Sequence, residues 1–516
     1  MKQLVLSEWL LTELNQSDFP VRMPTHRRVY EAIRRAITDR ILPSGTRLPS
    51  TRSLAEDLSV SRNTILAAFE QLLDEGYVAA QTGSGTYVAY NQPDGFAKTA
   101  AISPTATKPD AKTQPKIASP KTDESIGLSR RGLAAAGSAN RKSHEVQPFT
   151  PGEDDHSIFP TMLWRRLLNR QWRAPDPELL DYGHEGGYLP LRQAIADYLR
   201  ISRAVNLTVD QVLITSGTQQ SIDLCSRLLT DHGDRAWIEN PCYWAARRVL
   251  EVNGLELHPV PVDNEGMAPT TADFRATPRL IYTTPSHQYP KGMVMSYGRR
   301  RLLLDYAASR NAWIIEDDYD SEFRFEGRPI SSLQGMDQNG RVLYLGTFSK
   351  VMYPGIRLGY LVVPPNLVDS FKSGLYELQR PGQVVIQAAL ADFIEEGHFA
   401  SHIRRLRQTY AERRRLLQKS LASVADVGAR LSPVDSGLHM VVEFDQEVDD
   451  VLIAELAAEK GLRVNPLSYY GMGKKPGKGL IIGYAYAATD RISEYGNMLA
   501  DVIRTTLKKS NRETTN

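Results

Sequence analysis

The sequence predicts an α/β protein made of a small, mainly helical N-terminal domain and a large domain with a mainly parallel sheet. Three observations predict this. The chain has 516 residues, more than a single hydrophobic core usually organises. Residues 91–147, rich in Pro, Ala, Thr, Ser and Lys, separate a short patterned segment from a long one. In the long segment, apolar strand-like runs alternate with helical runs, as in a parallel sheet covered by helices.

The composition excludes several classes of protein. Lys and Arg number 62 against 60 Asp and Glu, so any contact with nucleic acid must be local. No stretch approaches about 18 uncharged apolar residues, and Glu8 interrupts the first apolar run, so we predict neither a membrane span nor a signal peptide. Cys225 and Cys242 carry no metal-ligand spacing and are too few for a disulfide framework. We therefore expect a cytoplasmic protein without a metal.

Three helical patterns occupy the first part of the short segment, residues 22–90. Apolar residues recur at helical spacing over residues 30–41, which predicts a first helix with one buried stripe. Ser50 and Ser61 are each placed to cap a further helix. The sequence therefore predicts three short helices around a small core.

A hairpin pattern follows the third helix. Residues 77–80 and 86–89 have the composition of two strands, and the glycines between them allow close approach to a sugar-phosphate backbone. Three helices and a hairpin in this order are typical of a winged helix-turn-helix. In such a domain the exposed first turn of the third helix faces base edges in the major groove.

The run from Leu48 to Val88 closely resembles the GntR-type winged helix, and the resemblance covers nearly all of residues 22–90. It implies a DNA-binding domain whose partner is a double-stranded operator. The residues that the resemblance implies at the DNA are Arg52, Ser61, Arg62, Asn63 and Thr64, with Gly83 and Gly85 in the wing.

The segment between the two parts is predicted to be a flexible basic linker. Residues 91–147 carry nine Lys and Arg against five acids, a net charge of +4, and show neither helical nor strand periodicity. A solvated tether explains this composition. A tether that also contacts DNA phosphates explains it as well.

The long segment places polar residues directly after its strand-like runs. These runs are residues 212–215, 236–239, 280–283, 313–316 and 342–345. In open α/β sheets a ligand binds outside the carboxyl ends of the strands. The residues found there are Gly217, Thr218 and Gln219 after the first run, Tyr243 after the second, His287 after the third, Asp317 and Tyr319 after the fourth, and Thr347, Lys350 and Arg357 after the fifth.

One ligand uses all of these groups. A pyridoxal ring requires a lysine amine, an acid at the pyridine nitrogen, a phenol near the 3-oxygen and an aromatic face for stacking. Its phosphate requires free backbone N–H groups, which the first turn of a helix after Gly217 would supply. The sequence therefore predicts a pyridoxal phosphate site.

The motifs ITSGTQQSIDL, ENPCYW, TPSHQYPKG, IIEDDYDSEF and GTFSKVMYPGIRLGYL resemble the fold-type I aminotransferase domain of MocR/GabR-like regulators over residues 148–505. The resemblance implies an aspartate aminotransferase-like fold with a small C-terminal α+β subdomain, a pyridoxal 5'-phosphate cofactor and a homodimer. It implies that Lys350 forms the internal aldimine and that Asp317, with Asp318 as the alternative, contacts the pyridine nitrogen. Around the ring it implies Tyr319 at the 3-oxygen, Tyr243 stacked on the face, and His287 or Gln288 at the side. At the phosphate it implies Gly217, Thr218, Gln219, Thr347 and Arg357, and at the cofactor of the partner subunit it implies Tyr182.

The chain departs from the family pattern where relatives bind a carboxylate. Aminobutyrate-sensing relatives carry an arginine two residues after the stacking tyrosine, and this chain has Ala245 there. The run Gly479–Gly483, where aminotransferases place a carboxylate-binding arginine, has none, which leaves Arg463 as a substitute. We expect the effector to be an unusual amine or amino acid, or pyridoxal phosphate itself.

The sequence thus predicts a pyridoxal phosphate-dependent transcription regulator in which an amine effector exchanges with Lys350. An active aminotransferase with an auxiliary DNA-binding domain is the alternative, because the same groups support proton transfer. A DNA-binding scaffold with a vestigial cleft is a third reading, and the intact Lys350 site argues against it. Release of a keto acid over many turnovers would separate the second reading from the first.

Overall fold

A computed structural model of the chain describes residues 9–14, 23–39, 41–81, 85–89, 127–136, 146–173, 176–181, 185–325, 331–380, 382–432, 436–445, 448–473 and 477–515. It divides into two compact units, residues 1–122 and 123–516. Each unit has its own apolar core. In the described residues, no helix has the length and apolar character that a membrane crossing needs.

The N-terminal unit is a winged helix-turn-helix, as the sequence predicts. Its elements are α1 (Thr25–Thr38), α2 (Thr51–Asp57), α3 (Arg62–Asp74), β1 (Val78–Gln81) and β2 (Gly85–Val88). Both α1 and α2 pack on α3, and the two strands form an antiparallel hairpin. The buried face of α3 includes Ile65, Phe69 and Leu72, so its opposite face is left to solvent.

A serine cap begins each of the helices α2 and α3. The Ser50 hydroxyl accepts the backbone N–H of Ser53 at 3.1 Å, and the Ser61 hydroxyl accepts that of Thr64 at 3.2 Å. Each cap satisfies a backbone N–H that has no partner within the helix. At the other end of α3, the Tyr30 hydroxyl donates to the Glu75 carboxylate and ties α1 to α3.

The structure differs from the sequence prediction at one place in the linker. Residues Arg130–Ala136 form a helix, α4, although the composition of residues 91–147 predicts no periodic structure. Ser129 caps it by accepting the backbone N–H of Gly132 at 3.0 Å. The run of alanines also favours a helix, because alanine has the highest helix propensity. Residues 91–126 lie outside the described residues.

The large unit is built on a mixed sheet that has eight strands within the described residues, in the order β3-β10-β9-β8-β7-β4-β5-β6. Its strands are β3 (Val212–Thr215), β4 (Arg235–Asn240), β5 (Glu256–Asp263), β6 (Gly266–Met267), β7 (Leu280–Thr283), β8 (Trp313–Asp318), β9 (Val342–Thr347) and β10 (Gly359–Val362). The sheet is parallel from β5 to β9, whereas β10 runs antiparallel between β9 and β3.

Helices cover both faces of this sheet. They are α5 (Thr161–Arg173), α6 (Leu189–Arg203), α7 (Thr218–Leu229), α8 (Trp244–Val252), α9 (Tyr297–Arg310), α10 (Leu333–Met336), α11 (Val368–Gln379), α12 (Val384–Glu395) and α13 (His398–Leu421). Neighbouring residues of one strand enter different cores: Ile315 packs in one and Ile314 in another. The strands are therefore apolar on both sides, which explains their unbroken apolar runs.

A small α+β subdomain completes the C-terminal part, as the sequence predicts. Its strands are β11 (Ala429–Leu431), β12 (His439–Phe444), β13 (Asn465–Pro466) and β14 (Gly479–Gly483), joined antiparallel in the order β11-β12-β14-β13. Its helices are α14 (Asp450–Glu459) and α15 (Ile492–Thr515), and α15 packs on α13. This subdomain brings His439 and Asn465 to the cavity described below.

Candidate cofactor site and nucleic-acid interface

A cavity of about 350 Å³ opens at the carboxyl ends of the parallel strands. The strand-end residues that the sequence singles out meet there because parallel strands end at the same edge of a sheet. The predicted cofactor residues that line this cavity are Gly217, Thr218, Gln219, Tyr243, Asp317, Tyr319, Thr347, Lys350 and Arg357.

Lys350 lies three residues beyond the end of β9 and is half-buried. Its Nζ donates to the Gly152 carbonyl oxygen at 2.6 Å. The amine thus reaches across the cavity to the segment that precedes α5, with no carboxylate hydrogen-bonded to it among the described residues. It is placed to react with an aldehyde carbon in the cavity.

Asp317 has one oxygen paired and one unpaired. Its Oδ2 accepts the Tyr282 hydroxyl at 2.6 Å, whereas Oδ1 is buried and has no hydrogen-bond partner. Burial raises the pKa of this carboxyl from 3.8 to about 7. An unpaired buried acceptor at the cavity wall fits a protonated pyridine nitrogen, which would supply both the missing hydrogen bond and a compensating charge.

Asp318 is engaged elsewhere. Its Oδ2 accepts from Arg203 Nε at 2.8 Å and also from the Tyr344 hydroxyl, and it does not line the cavity. Successive side chains of a strand point to opposite faces of the sheet, so only one of two neighbouring aspartates can face a ligand. The geometry therefore favours Asp317 over Asp318 at the pyridine nitrogen.

The phosphate end of the cavity is formed by a helix N-terminus and a loop. Gly217, the N-cap of α7, has φ of +112°, which a side chain would strain, and Thr218 and Gln219 begin the helix. The backbone N–H groups of a first helical turn have no partner within the helix and bind anions. Thr347 and Arg357 line the same cavity, as does Ser349, whose N–H is bonded to the Thr347 hydroxyl at 3.1 Å.

His287 lies behind Tyr319 and does not line the cavity, which differs from the prediction that it lies beside the ring. The Tyr319 hydroxyl is 3.0 Å from His287 Nδ1 and donates to the His287 carbonyl at 3.0 Å. His287 Nδ1 is also 2.8 Å from Asp320 Oδ2. Gln288 is buried as well, with Nε2 donating to the Pro241 carbonyl at 2.9 Å. His287 would therefore act on a ligand through Tyr319.

The predictions for Arg463 and Tyr182 concern ligand contacts outside the ring and the phosphate. Arg463 does not line the cavity, so the sequence prediction of a substitute carboxylate-binding arginine finds no support. Tyr182, predicted to reach the cofactor of a partner subunit, lies outside the described residues.

Sequence reasoning missed one wall of the cavity. The residues of this wall come from several distant elements and follow no local motif. The sequence signals that point to any of them are the apolar run of β7 and the aromatic residues within 467–470. The wall residues are Tyr282, Tyr289, Trp244, Leu438, His439, Asn465 and Tyr470.

The first turn of α3 carries the predicted base-reading residues. Arg62 and Asn63 are exposed, and Ser61 is the N-cap. Thr64 is half-buried, with its hydroxyl 2.8 Å from the Ser61 hydroxyl. Its side chain therefore completes the cap, which leaves Arg62 and Asn63 as the more accessible pair.

The other predicted DNA contacts lie around α2 and the hairpin. Arg52 is exposed and pairs with Glu56 at 3.3 Å. Gly85 has φ of +119°, and a Cβ there would lie 3.1 Å from Arg47 Nε, so Gly85 makes room for an exposed arginine that sequence reasoning missed. Gly83 lies outside the described residues.

Comparison with known families matches both units. Residues 25–88 match the model of bacterial regulatory proteins of the gntR family, and residues 158–482 match that of class I and II aminotransferases. A solved structure with the same fold is kynurenine aminotransferase from Pyrococcus horikoshii, crystallised with PMP, KYN and KYA. It is 26% identical, with a TM-score of 0.65 over 70% of this chain and 92% of that one.

Relatives with both units are similar along nearly the whole chain. The probable rhizopine catabolism regulatory protein MocR of Rhizobium meliloti is 39% identical over 90% of each chain. The HTH-type pyridoxine biosynthesis transcriptional regulator PdxR of Corynebacterium glutamicum is 32% identical over 90% of this chain and 92% of that one. The chain therefore belongs to the MocR-type transcription regulators, which join a gntR-type DNA-binding domain to an aminotransferase-like domain that takes pyridoxal phosphate as cofactor.

Proposed function

We propose that this regulator senses a small primary amine, which competes with the Lys350 amine for pyridoxal phosphate and thereby changes how the protein is held on DNA. The observation that carries the proposal is that Lys350 and Asp317, whose Oδ1 has no hydrogen-bond partner, line the same cavity. Asp154, Asp318 and Asp320 also carry buried carboxylate oxygens without a partner, but of these four residues only Asp317 lines the cavity, where a ligand could supply the missing hydrogen bond.

Each group has a definite task in this proposal. Pyridoxal phosphate supplies an aldehyde that bonds reversibly to primary amines. Asp317 holds the proton of the pyridine nitrogen, and Tyr282 orients Asp317 through the 2.6 Å hydrogen bond. Tyr243 would stack on the ring, and the first turn of α7 would bind the phosphate with Arg357. An effector amine bonded to the aldehyde in place of Lys350 would leave Lys350 as a free amine in the cavity.

The effector must act through a difference in affinity between two states of the protein. A ligand shifts an equilibrium only by as much as it prefers one state over the other. The release of Lys350 is such a difference, because a free Lys350 amine can donate to the Gly152 carbonyl, as it does here at 2.6 Å, whereas an amine bonded to the aldehyde would be held in the cavity. In this view the DNA contacts of α3 stay the same, and the availability of the two DNA-binding domains changes.

We further propose that the aminotransferase-like unit forms a homodimer in the cytoplasm and presents two DNA-binding domains to a repeated operator. The family resemblance implies that Tyr182 reaches the partner's cofactor, and dimers bind half-sites spaced by their own geometry. Sedimentation should show a dimer at micromolar concentration, and a monomer there would contradict this part of the proposal.

The central test is Lys350→Ala in the full-length protein. The wild type should be yellow, and borohydride should fix its cofactor irreversibly at Lys350, as peptide mapping would show. The variant should keep its fold and its DNA affinity but lose the change in DNA binding when effector is added. The matched control is Lys460→Ala, since Lys460 is exposed beyond α14. A full effector response in Lys350→Ala would exclude amine exchange as the switch.

An active aminotransferase is the second candidate. It is favoured by the placement of Lys350, which would be free to move a proton once released, and by the fold shared with kynurenine aminotransferase. Mixing the protein with amino donors and measuring keto acid decides between the two. Many equivalents of keto acid per protein support the enzyme, whereas a stoichiometric colour change without release supports the sensor.

A further inference from the structure

We infer that the amine sensed by this protein is a hydroxylated amine that lacks a carboxylate. The inference rests on the proposed function and concerns the part of the cavity that the cofactor residues leave over. Its wall is formed by neutral hydrogen-bonding groups, His439, Asn465 and Tyr470, backed by an apolar residue, Ile481, where an amino acid would need a cation.

His439 offers a bare acceptor. Its Nε2 lies 2.7 Å from the Pro290 carbonyl oxygen, which can only accept, so Nε2 carries the proton. Burial lowers the pKa of this imidazole to about 3, so the ring is neutral. With one proton on Nε2, the other ring nitrogen, Nδ1, can accept a hydrogen bond but cannot donate one.

Tyr470 offers a donor. Its hydroxyl oxygen accepts Asn465 Nδ2 at 2.9 Å and the Tyr289 hydroxyl at 3.5 Å, which leaves its own proton to be donated to a ligand. Burial raises the pKa of the Tyr470 phenol, so that proton is retained. Asn465, whose amide nitrogen makes that 2.9 Å bond, also lines the cavity and is neutral.

This set matches hydroxyl groups and does not match a carboxylate. A hydroxyl both donates and accepts, so it can satisfy the Tyr470 donor and the His439 acceptor together. A carboxylate only accepts, so it can satisfy the Tyr470 donor but not the His439 acceptor. An anion set against an unprotonated imidazole nitrogen is unfavourable.

The cationic side chains in the described part of the cavity wall are both assigned to the cofactor. Among the described residues that line the cavity, the cationic side chains are Lys350 and Arg357. The proposed function assigns these two to the aldehyde and to the phosphate. On β14, Ile481 is fully buried and packs with Val441 and Tyr470 behind the wall. No charge on that strand would therefore pair with a carboxylate.

Three amines with one carbon skeleton test the inference. They are 2-amino-1,3-propanediol, which carries two hydroxyls, serine, which replaces one hydroxymethyl group by a carboxylate, and 2-aminopropane, which has neither. Each is titrated into the full-length holoprotein while the cofactor absorbance is followed, and affinities are compared at equal concentration of unprotonated amine. We expect the diol to bind at least about tenfold more tightly than either of the others, because unpaired buried groups penalise both.

The wall residues are tested by a matched pair of neighbours. Tyr470→Phe removes the proposed donor, whereas Tyr469→Phe alters a side chain that is 60% exposed. Tyr470→Phe should abolish the preference for the diol over 2-aminopropane and keep the cofactor bound, as its absorbance reports. Tyr469→Phe should retain the preference.

The outcomes separate this inference from the proposed function. Equal or tighter binding of serine overturns the ligand class but leaves amine sensing intact. Equal binding of 2-aminopropane overturns the role of the hydroxyls. A holoprotein that responds to none of the three amines and only to added pyridoxal phosphate overturns both the inference and the proposed function.

Discussion

Asp317 shows how one side chain can be costly in the free protein and useful with its ligand. Its carboxyl is 3% exposed, and Oδ1 has no hydrogen-bond partner. Burial raises its pKa from 3.8 to about 7, so the folded protein holds this proton more tightly than the unfolded chain does. The carboxyl therefore lowers the free energy of unfolding as pH rises from about 4 to about 7, and the loss is complete above that range.

Asp317→Asn should remove this pH-dependent loss of stability and weaken the binding of the cofactor. In the cofactor-free protein, the difference in unfolding free energy between variant and wild type should increase by about 3 kcal/mol from pH 5 to pH 8. Denaturant unfolding at the two pH values measures it, and the other buried acids cancel because both proteins contain them. The variant should also bind pyridoxal phosphate more weakly. A difference independent of pH would show that Asp317 is ionised throughout.

Gly437 makes room for the histidine that supports Tyr319. Its φ is +86°, and a Cβ on it would overlap the His287 ring. Gly437→Ala should therefore cost the usual 1–2 kcal/mol or so for a side chain at positive φ and roughly 1–3 kcal/mol more for overlap. Because His287 contacts the Tyr319 hydroxyl, the absorption maximum of the bound cofactor should also shift.

The control for this substitution is Gly397→Ala. Gly397 also has positive φ, +77°, but a Cβ there meets nothing within 4 Å. It should show the conformational cost alone, with the cofactor spectrum unchanged. Equal losses in the two variants, without a spectral shift in Gly437→Ala, would mean that His287 relaxes freely and does not position Tyr319.

At the scale of elements, α2 and α3 begin with the same kind of cap, but we expect only the first turn of α3 to present side chains to base edges. Both caps are serine hydroxyls bound to a backbone N–H, at 3.1 Å for Ser50 and 3.2 Å for Ser61. Only the α3 cap precedes the exposed Arg62 and Asn63. A cap that orders this first turn also orders the side chains that would meet base edges.

Ser61→Ala and Ser50→Ala should therefore separate stability from DNA recognition. Each should lower the unfolding free energy of the N-terminal unit by about 1 kcal/mol, the usual value of a helix cap. Ser61→Ala should in addition weaken operator binding, and Arg62→Ala should weaken it by about 1–3 kcal/mol without changing stability. Titrations of operator DNA at fixed salt measure these losses. A larger loss of operator affinity in Ser50→Ala than in Ser61→Ala would indicate that α2, and not α3, forms the recognition surface.

At the scale of the whole molecule, the two units have separate cores. One core lies within residues 10–88, and the others within residues 149–507. The cofactor cavity is lined by residues of the second unit alone. Stability gained from the cofactor should therefore be confined to that unit, because a ligand stabilises only the folded state that binds it.

Thermal unfolding of the intact protein should accordingly show two transitions. Pyridoxal phosphate at 100 times its Kd should add about 2.7 kcal/mol to the transition of the large unit and leave that of the small unit unchanged. Calorimetry with and without cofactor measures both, and operator DNA provides the reverse control. A single cooperative transition whose midpoint temperature rises on addition of pyridoxal phosphate would show that the two units unfold together in the absence of effector.

The sequence predicts the site residues that lie at the ends of strands, but not those whose role depends on which strands are neighbours in the sheet. Asp317 lies near the end of β8 and Tyr319 directly beyond it, and Lys350 and Arg357 follow β9. Because parallel strands end at one edge, strand patterns suffice to bring these residues together. Tyr282 was missed because its pairing with Asp317 joins residues on neighbouring strands, and the sequence shows no order of strands. The sequence predicts His287 beside the ring, whereas in the structure its side chain contacts the Tyr319 hydroxyl and does not line the cavity.

The sequence by itself determined the two units, the fold class, the cofactor and the residues at the strand ends, because periodicity, caps and post-strand motifs are local properties. Only the tertiary structure favours Asp317 over Asp318, since that choice depends on which face of β8 meets Arg203 and which meets the cavity. It also decided the wall of His439, Asn465 and Tyr470, because strands of a separate subdomain reach the cavity only after the chain has folded over the sheet.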